Sequence, residues 1–280
     1  MAGSVVVNGE LAGSLSAQDR GFTFGDSVFR TLRCEAGRLW FWSRHYAKLA
    51  ADCARLGLNC PAEATLLADL ALLVPTNAAI RITISRGVAA RGYACDPTAP
   101  VTRVLGLAPL PSYPAHWFST GAPLRHCDWR WSRQPGLAGL KHGNRLDQVM
   151  ARREWHDPTL FDGLMRNIDG ELVSGVMSNL WLRCGDRLLT PPLVGEGVAG
   201  VTRAWVFDWA TQQGYAAVEK PLRPEALAQA DEVILCNSLA GIVPVAGDGV
   251  FIWHNFSLAH RLRQAWLEEA ARESIICPTS

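Results

Sequence analysis

Lysine is scarce in this chain, and several signatures of common functions are missing. Lys48, Lys141 and Lys220 are the three lysines among 27 basic residues, so the positive charge is mostly arginine. The formal net charge is +1 and no basic run occurs, which predicts that nucleic acid is not a partner. No apolar run approaches the ~18–20 residues that span a bilayer, so no membrane partner is predicted.

Paired cysteine and histidine motifs are also missing. The eight cysteines include no CxxC pair, and the seven histidines form no HxH or HExxH pattern, so no metal site is predicted. The opening segment MAGSVVVNGE lacks the charged and apolar regions of a signal peptide. We therefore expect a cytoplasmic protein with reduced thiols.

The hydrophobic content of 49% is enough for a sizeable core, and the pattern along the chain indicates two domains. We predict a smaller N-terminal α/β domain over 1–112, a linker over 113–120 and a larger domain over 121–280. The linker lies in a proline-rich stretch, PLPSYPAHW. Asn8-Gly9 predicts a hairpin turn, because this dipeptide tolerates positive φ.

One helix in the first domain has a clear apolar face. Residues at helical spacing run from Tyr46 to Leu56, Ser43 is a candidate N-cap and Gly57 a candidate stop. This pattern predicts that Lys48 points away from the apolar face.

Lys141 is the candidate reactive amine. A lysine becomes a covalent catalyst when partial desolvation lowers its pKa, and Lys141 follows the small and apolar residues LAGL. Lys220 lies in a charged segment that we expect to be exposed. The alternative for Lys141 is a surface lysine whose stem packs on apolar neighbours.

Three further segments carry candidate anion-binding groups. The turn VGEGVAGVTR precedes a predicted helix, so Val201 and Thr202 could present N–H groups and a hydroxyl to a phosphate; the alternative is an ordinary helix cap. Asn237 and Ser238 follow a predicted buried strand. The run RGxxxRGY contains Arg86 and Arg91, which suit carboxylates because the guanidinium binds both oxygens; the alternative is a loop of solvated charges.

Several motifs together resemble the fold-type IV enzymes that depend on pyridoxal 5'-phosphate (PLP), the class IV aminotransferase family. The resemblance covers nearly the whole chain. Its motifs are QDRGFTFGDSVFRT (18–31), TISRGVAARGY (83–93), LAGLKHGNRLDQVMARREW (137–155), GVMSNLWL (175–182), GVTR (200–203) and ADEVILCNS (230–238). It implies an α/β (α+β) fold of two domains, with PLP in the cleft between them, and a homodimer.

Within this family, LAGLKHGNRLDQV and ADEVILCNSLAGIVPV are more similar to the aminodeoxychorismate lyases than to the aminotransferases. That likeness implies elimination of pyruvate from 4-amino-4-deoxychorismate to give 4-aminobenzoate for folate synthesis. Two alternatives stay open: an aminotransferase acting on branched-chain or D-amino acids, and a non-catalytic PLP-binding protein.

The resemblance also implies roles for individual residues. Lys141 becomes the lysine that carries PLP and the catalytic residue, while the role of His142 is left open. The remaining cofactor-binding predictions are Ser174, Asn179, Val201, Thr202, Ser238 and Arg44, and the substrate-binding predictions are Arg33, Arg91 and Asn237.

Two positions of the chain, Ser174 and Phe41, depart from the family pattern. Ser174 falls where relatives place a glutamate against the pyridine nitrogen, so the counter-charge is missing. Phe41 takes the place predicted for a phosphate-binding arginine, and Arg44 is the predicted substitute.

Overall fold

The structure is a computed structural model that describes residues 5–89 and 92–278. Its backbone separates into two compact units. The first contains Met1–Pro111, Lys141–Asn144 and Glu269–Ser280, and the second contains Ser112–Leu140 and Arg145–Glu268. Arg91 lies outside the described residues.

The first unit is built on one antiparallel sheet flanked by helices. Its strands are β1 (Val5–Val7), β2 (Glu10–Leu11), β3 (Ser27–Glu35), β4 (Arg38–Leu39), β5 (Ala78–Ser85), β6 (Thr102–Ala108) and β15 (Ile275–Ile276), in the order β15-β4-β3-β5-β6-β1-β2. Its helices are α1 (Arg20–Phe24), α2 (Trp42–Leu56) and α3 (Glu63–Leu73).

Period-two alternation explains the central strand of this sheet. In β5, Ile80, Ile82 and Ile84 are at most 2% exposed and join the core, whereas Arg81 is exposed. The predicted hairpin turn is confirmed, because Asn8 and Gly9 both have positive φ between β1 and β2.

Helix α2 differs from its prediction at the start and agrees with it at the end. The prediction of Ser43 as N-cap is wrong, because the helix begins at Trp42 and the capping position is Phe41, a buried residue at φ 53° with no side-chain cap bond. A non-glycine residue rarely adopts this conformation, so it is strained. Gly57 does end the helix, at φ 65°.

The second unit contains a larger mixed sheet. Its strands are β7 (Ala122–Trp131), β8 (Asp162–Asn167), β9 (Leu172–Gly175), β10 (Asn179–Cys184), β11 (Arg187–Thr190), β12 (Ala216–Glu219), β13 (Glu232–Asn237) and β14 (Gly241–Gly247), in the order β12-β11-β10-β13-β14-β7-β8-β9. Its helices are α4 (Trp117–Thr120), α5 (Leu146–Arg152), α6 (Val201–Gln212) and a 3-10 helix (Pro224–Gln229). Helix α7 (Ser257–Glu273) starts in this unit.

The central strands β10, β13 and β14 are nearly continuous runs of buried apolar residues. Leu180, Leu182, Leu235 and Val243 are completely buried in one cluster. Such runs are typical of strands covered on both faces. The mixed α/β (α+β) class predicted from the sequence is confirmed.

No helix in residues 5–89 and 92–278 has the length and apolar character needed to cross a membrane. In the same residues, no cluster of three or more His, Cys, Asp or Glu side chains is arranged to hold a metal ion.

Candidate active site

The segment that contains Lys141 is joined to the edge of β3 by backbone hydrogen bonds. The N–H of Phe29 donates to the carbonyl of Lys141 at 2.9 Å, and His142 forms an antiparallel bridge with Val28. Gly143 then donates to the carbonyl of Ser27 at 2.8 Å. The main chain at Lys141 is therefore fixed by a core strand.

Glycine at position 143 makes this close approach possible. A Cβ atom there would lie 2.9 Å from the carbonyl oxygen of Gly25 and even closer to the Ser27 hydroxyl. Real Cβ contacts are essentially never shorter than 3.0 Å, so a larger residue would push the segment away from β3.

The Lys141 side chain is half-buried against an aromatic ring. Its Nζ lies 4.5 Å from the centroid of the Phe29 ring, a distance at which the ring face attracts an ammonium group. Its peptide N–H donates to Oδ2 of Asp52 at 3.2 Å.

Asp52 lies at the centre of a buried charge cluster that the sequence patterns did not reveal. Its side chain is fully buried and forms ion pairs with Arg30, whose side chain is 2% exposed, and with Lys48. Lys48 was predicted to point away from the apolar face of the helix, and its Nζ pairs with the Asp52 carboxylate one helical turn further along α2. The i,i+4 spacing of Lys48 and Asp52 was the available signal.

Burial lowers the pKa of two basic groups in this cluster, His45 and Lys48. Burial, together with the charges of Arg30 and Lys141, lowers the pKa of His45 to about 3, so this imidazole is neutral at physiological pH. Burial, together with the charges of Arg30 and Arg55, lowers the pKa of Lys48 to about 7, so Lys48 is only partly protonated at neutral pH beside the ion pair of Arg30 and Asp52. A bound anion, for example a phosphate group, would favour the protonated form of Lys48.

In the second unit, the structure groups two predicted residues at the start of α6. Val201 and Thr202 form its first turn and both are buried. The first N–H groups of a helix have no partner within it and point along the axis, which favours an anion there.

Asn179 belongs to the same region and shapes the entry to α6. Its Nδ2 donates to the carbonyl of Val198 at 2.8 Å. A Cβ added to Gly200 would come within 3.0 Å of Asn179 Oδ1. The side chain therefore packs tightly against the residue that precedes the helix.

Ser174, Asn237 and Ser238 have local partners or partial exposure. The buried Ser174 hydroxyl donates to the carbonyl of Gly175 at 2.6 Å. Asn237 Oδ1 accepts from the N–H groups of Leu239 and Ala240 at 2.9 and 2.8 Å, so it shapes the turn after β13. Ser238 is half-buried in that turn.

Two of the arginines predicted for anion binding, Arg44 and Arg33, have internal acceptors. Arg44 makes a two-point ion pair with Glu273, with its Nε 2.9 Å from Oε2 and its Nη2 3.0 Å from Oε1. Arg33 donates to Glu35 at 2.8 Å. Arg91 is not among the described residues.

The first arginine of the RGxxxRGY run has a structural role. Arg86 binds both oxygens of Asp26, and it also donates to the carbonyls of Leu56 and Gly57 at the end of α2. Arg20 shares Asp26 and donates to the carbonyls of Gly92 and Tyr93. This network fixes the end of α2.

The model of the family Amino-transferase class IV matches residues 27–247. The chain belongs to the class IV aminotransferase family. This membership confirms the family predicted from the motifs.

Relatives within the class IV family include lyases and aminotransferases. The chain is 35% identical over 246 residues to aminodeoxychorismate lyase of Vibrio harveyi, covering 86% of this chain and 90% of that protein. It is 27% identical over 239 residues to D-alanine aminotransferase of Bacillus licheniformis, covering 83% and 82%.

A solved class IV structure has the same fold. The crystal structure of 4-amino-4-deoxychorismate lyase from Pseudomonas aeruginosa superposes with a TM-score of 0.87 at 37% identity, over 94% of this chain and 98% of that one. The predicted similarity to the lyases is therefore confirmed.

Proposed function

We propose that this protein is a PLP-dependent 4-amino-4-deoxychorismate lyase, which eliminates pyruvate and leaves 4-aminobenzoate for folate synthesis. The observation that carries the proposal is the likeness to the Vibrio harveyi and Pseudomonas aeruginosa lyases over nine-tenths or more of their length. Identity to these proteins exceeds identity to the aminotransferase relative.

The residues around Lys141 fit PLP. Lys141 supplies a half-buried amine for covalent attachment, and Arg30 and Lys48 are basic groups near it that suit a phosphate dianion, which would favour the protonated form of Lys48. When bound, PLP supplies a carbonyl carbon that joins amines and a ring that withdraws electrons.

Lys141 serves as anchor, base and acid in this proposal. It holds the cofactor until substrate arrives, and its released ε-amine then removes the proton from the substrate carbon next to nitrogen. As the C–O bond to the enolpyruvyl group breaks, Lys141 returns the proton to the departing enolate. Pyruvate and 4-aminobenzoate are the products.

Ser174 is proposed to face the pyridine nitrogen. Because its hydroxyl proton is donated to Gly175, the oxygen offers a lone pair to a ring N–H and no negative charge. A neutral acceptor would stabilise a protonated ring nitrogen less than a glutamate would, so the ring would be a weaker electron sink. Elimination of pyruvate tolerates a weaker electron sink better than reversible transamination does, because formation of the aromatic product drives the elimination forward.

The other predicted contacts stay proposals. Val201, Thr202 and Ser238 are proposed for phosphate, with Asn179 shaping the approach to α6 and Arg44 as a further cofactor contact. For the substrate carboxylates we propose Arg33, Arg91 and Asn237.

We further propose that the protein is a homodimer in the cytoplasm. Its partner is the small-molecule substrate 4-amino-4-deoxychorismate, and it does not bind nucleic acid. The near-neutral net charge of +1 supports the last point. Light scattering of the purified protein tests the dimer.

An aminotransferase is the second candidate function. The family description and the Bacillus licheniformis relative favour it. Stoichiometric conversion of bound PLP to pyridoxamine phosphate by an amino acid would identify this activity. PLP binding without turnover of any amine would instead favour a non-catalytic protein.

The decisive experiment compares wild type, Lys141→Ala and the matched control Lys220→Ala, whose lysine is exposed. Each protein is scanned for absorbance with PLP and then given enzymatically generated aminodeoxychorismate. We expect a PLP band that requires Lys141 and release of both products by wild type and control. A band without either product would refute the lyase proposal.

A further inference from the structure

We infer that Asp52 is a positioning residue for Lys141, which it holds through the peptide N–H while Arg30 compensates its buried charge. The catalytic importance of this contact rests on the proposed function, in which Lys141 performs the chemistry. The contact itself belongs to the fold of the first unit.

Both peptide groups of Lys141 are engaged by core elements. The N–H of Phe29 on β3 donates to its carbonyl at 2.9 Å, and Asp52 on α2 accepts from its N–H at 3.2 Å. Holding both ends of the residue limits rotation of its main chain. The direction of the Cα–Cβ bond, and so the origin of the amine, is then fixed.

Asp52 is itself held rigidly. Its side chain has no exposed surface, and its helical neighbours Leu49 and Cys53 are at most 1% exposed in the core. A side chain packed at this density has few alternative rotamers. Its carboxylate therefore offers a fixed acceptor to Lys141.

Arg30 explains how a carboxylate can occupy this position. A buried ionised group is tolerated only with a partner, and Arg30 supplies one from β3, directly after Phe29. Arg30 also donates to the Lys48 carbonyl at 3.3 Å. Arg30 on β3 pairs with Asp52, Asp52 accepts from the Lys141 N–H, and the Lys141 carbonyl accepts from Phe29 on the same strand.

A purely structural alternative is that Asp52 only neutralises Arg30 and Lys48. Single substitution of Asp52 would strand the Arg30 charge and could unfold the protein, so it does not separate the two roles. Two double variants do so: Arg30→Met/Asp52→Asn and Arg30→Met/Asp52→Leu. Asn and Leu have similar shapes, both variants lack the charge pair, and only Asn retains an acceptor.

The first readout is amide hydrogen exchange of the peptide containing Lys141, measured without PLP. The second is covalent trapping of PLP on Lys141 by borohydride, located by mass spectrometry. Asp69→Asn is the matched control, because Asp69 is 3% exposed and pairs with Arg103 at 2.8 Å in the same unit.

We expect exchange at the Lys141 amide to be about tenfold faster in the Leu variant than in the Asn variant, the effect of one hydrogen bond on local opening. Trapping on Lys141 should fall in the Leu variant, while Asp69→Asn changes neither readout. Equal exchange in the two double variants would overturn the inference. If wild type traps no PLP on Lys141, the proposed function fails, and the exchange comparison still decides the role of Asp52.

Discussion

Gly200→Ala tests how tightly the start of α6 is packed. The backbone at Gly200, with φ −70° and ψ 146°, accepts alanine without strain. The new Cβ would nevertheless come within 3.0 Å of Asn179 Oδ1, whereas ordinary van der Waals contact needs 3.4–4 Å. The amide must therefore turn away, and its 2.8 Å bond to the Val198 carbonyl breaks.

The expected cost follows from these contacts. A buried amide left without its partner costs about 1–3 kcal/mol, and overpacking costs a similar amount, so we expect Gly200→Ala to lower the unfolding free energy by about 2–4 kcal/mol. PLP affinity should fall as well if the first turn of α6 holds the phosphate.

Denaturant unfolding, with PLP titration in parallel, measures both effects. In an Asn179→Ala background the clash is absent, so Gly200→Ala should cost less than about 1 kcal/mol there. Gly106→Ala is the control, because its Cβ would meet only Val5 at 3.8 Å. The same loss in both backgrounds, or a loss no larger than that of Gly106→Ala, would refute the reasoning.

Three further predictions concern stability. Burial raises the pKa of Asp26, but hydrogen bonds and charges from Arg86 and Arg20 outweigh burial and hold the pKa below its ordinary 3.8. The ionised Asp26 therefore stabilises the fold above pH 3.8, and this stabilisation is lost as the pH falls through the folded pKa. Asp26→Asn should therefore cost about 2 kcal/mol near neutral pH and much less in acid, as followed by melting temperature against pH; a constant cost would contradict this. Burial raises the pKa of Asp162 to about 6, although a hydrogen bond from Ser178 acts in the opposite direction and lowers it. Because the folded pKa is above the ordinary 3.8, protonation of Asp162 stabilises the fold fully below pH 3.8, and this contribution is lost as the pH rises through about 6. Ser178→Ala removes a bond to the ionised form and should cost about 2 kcal/mol at about pH 8 but less at about pH 5, with equal losses speaking against it. Leu182→Ala leaves a cavity at a completely buried position and should lower the unfolding free energy measured in urea by about 2–5 kcal/mol. A decrease below about 1 kcal/mol would mean that neighbouring side chains move into the cavity.

Local chemistry explains why some elements were predictable. The Asn8-Gly9 hairpin and the end of α2 at Gly57 follow from residues that tolerate positive φ, and both appear as expected. The start of α2 was not predictable in this way. Phe41 adopts a left-handed conformation in a buried setting, so tertiary packing overrides its local preference.

In the candidate site, too, some residues could be predicted from the sequence and others could not. Lys141 could be singled out because lysine is scarce and its flanking motif resembles that of the family. Asp52 could not, since periodicity places it on a helix face without saying which distant backbone it meets. The ion pair between Arg44 and Glu273 joins residues 229 positions apart and was equally hidden.

The sequence by itself determined the family, the mixed α/β class and the identity of the candidate lysine, because these depend on composition, local turn chemistry and short motifs. The tertiary structure alone decided what holds that lysine. Asp52 lies 89 residues before Lys141 in the chain, and Phe29 lies still further away. Their hydrogen bonds form only when α2 and β3 pack into one core, and no local preference encodes that long-range geometry.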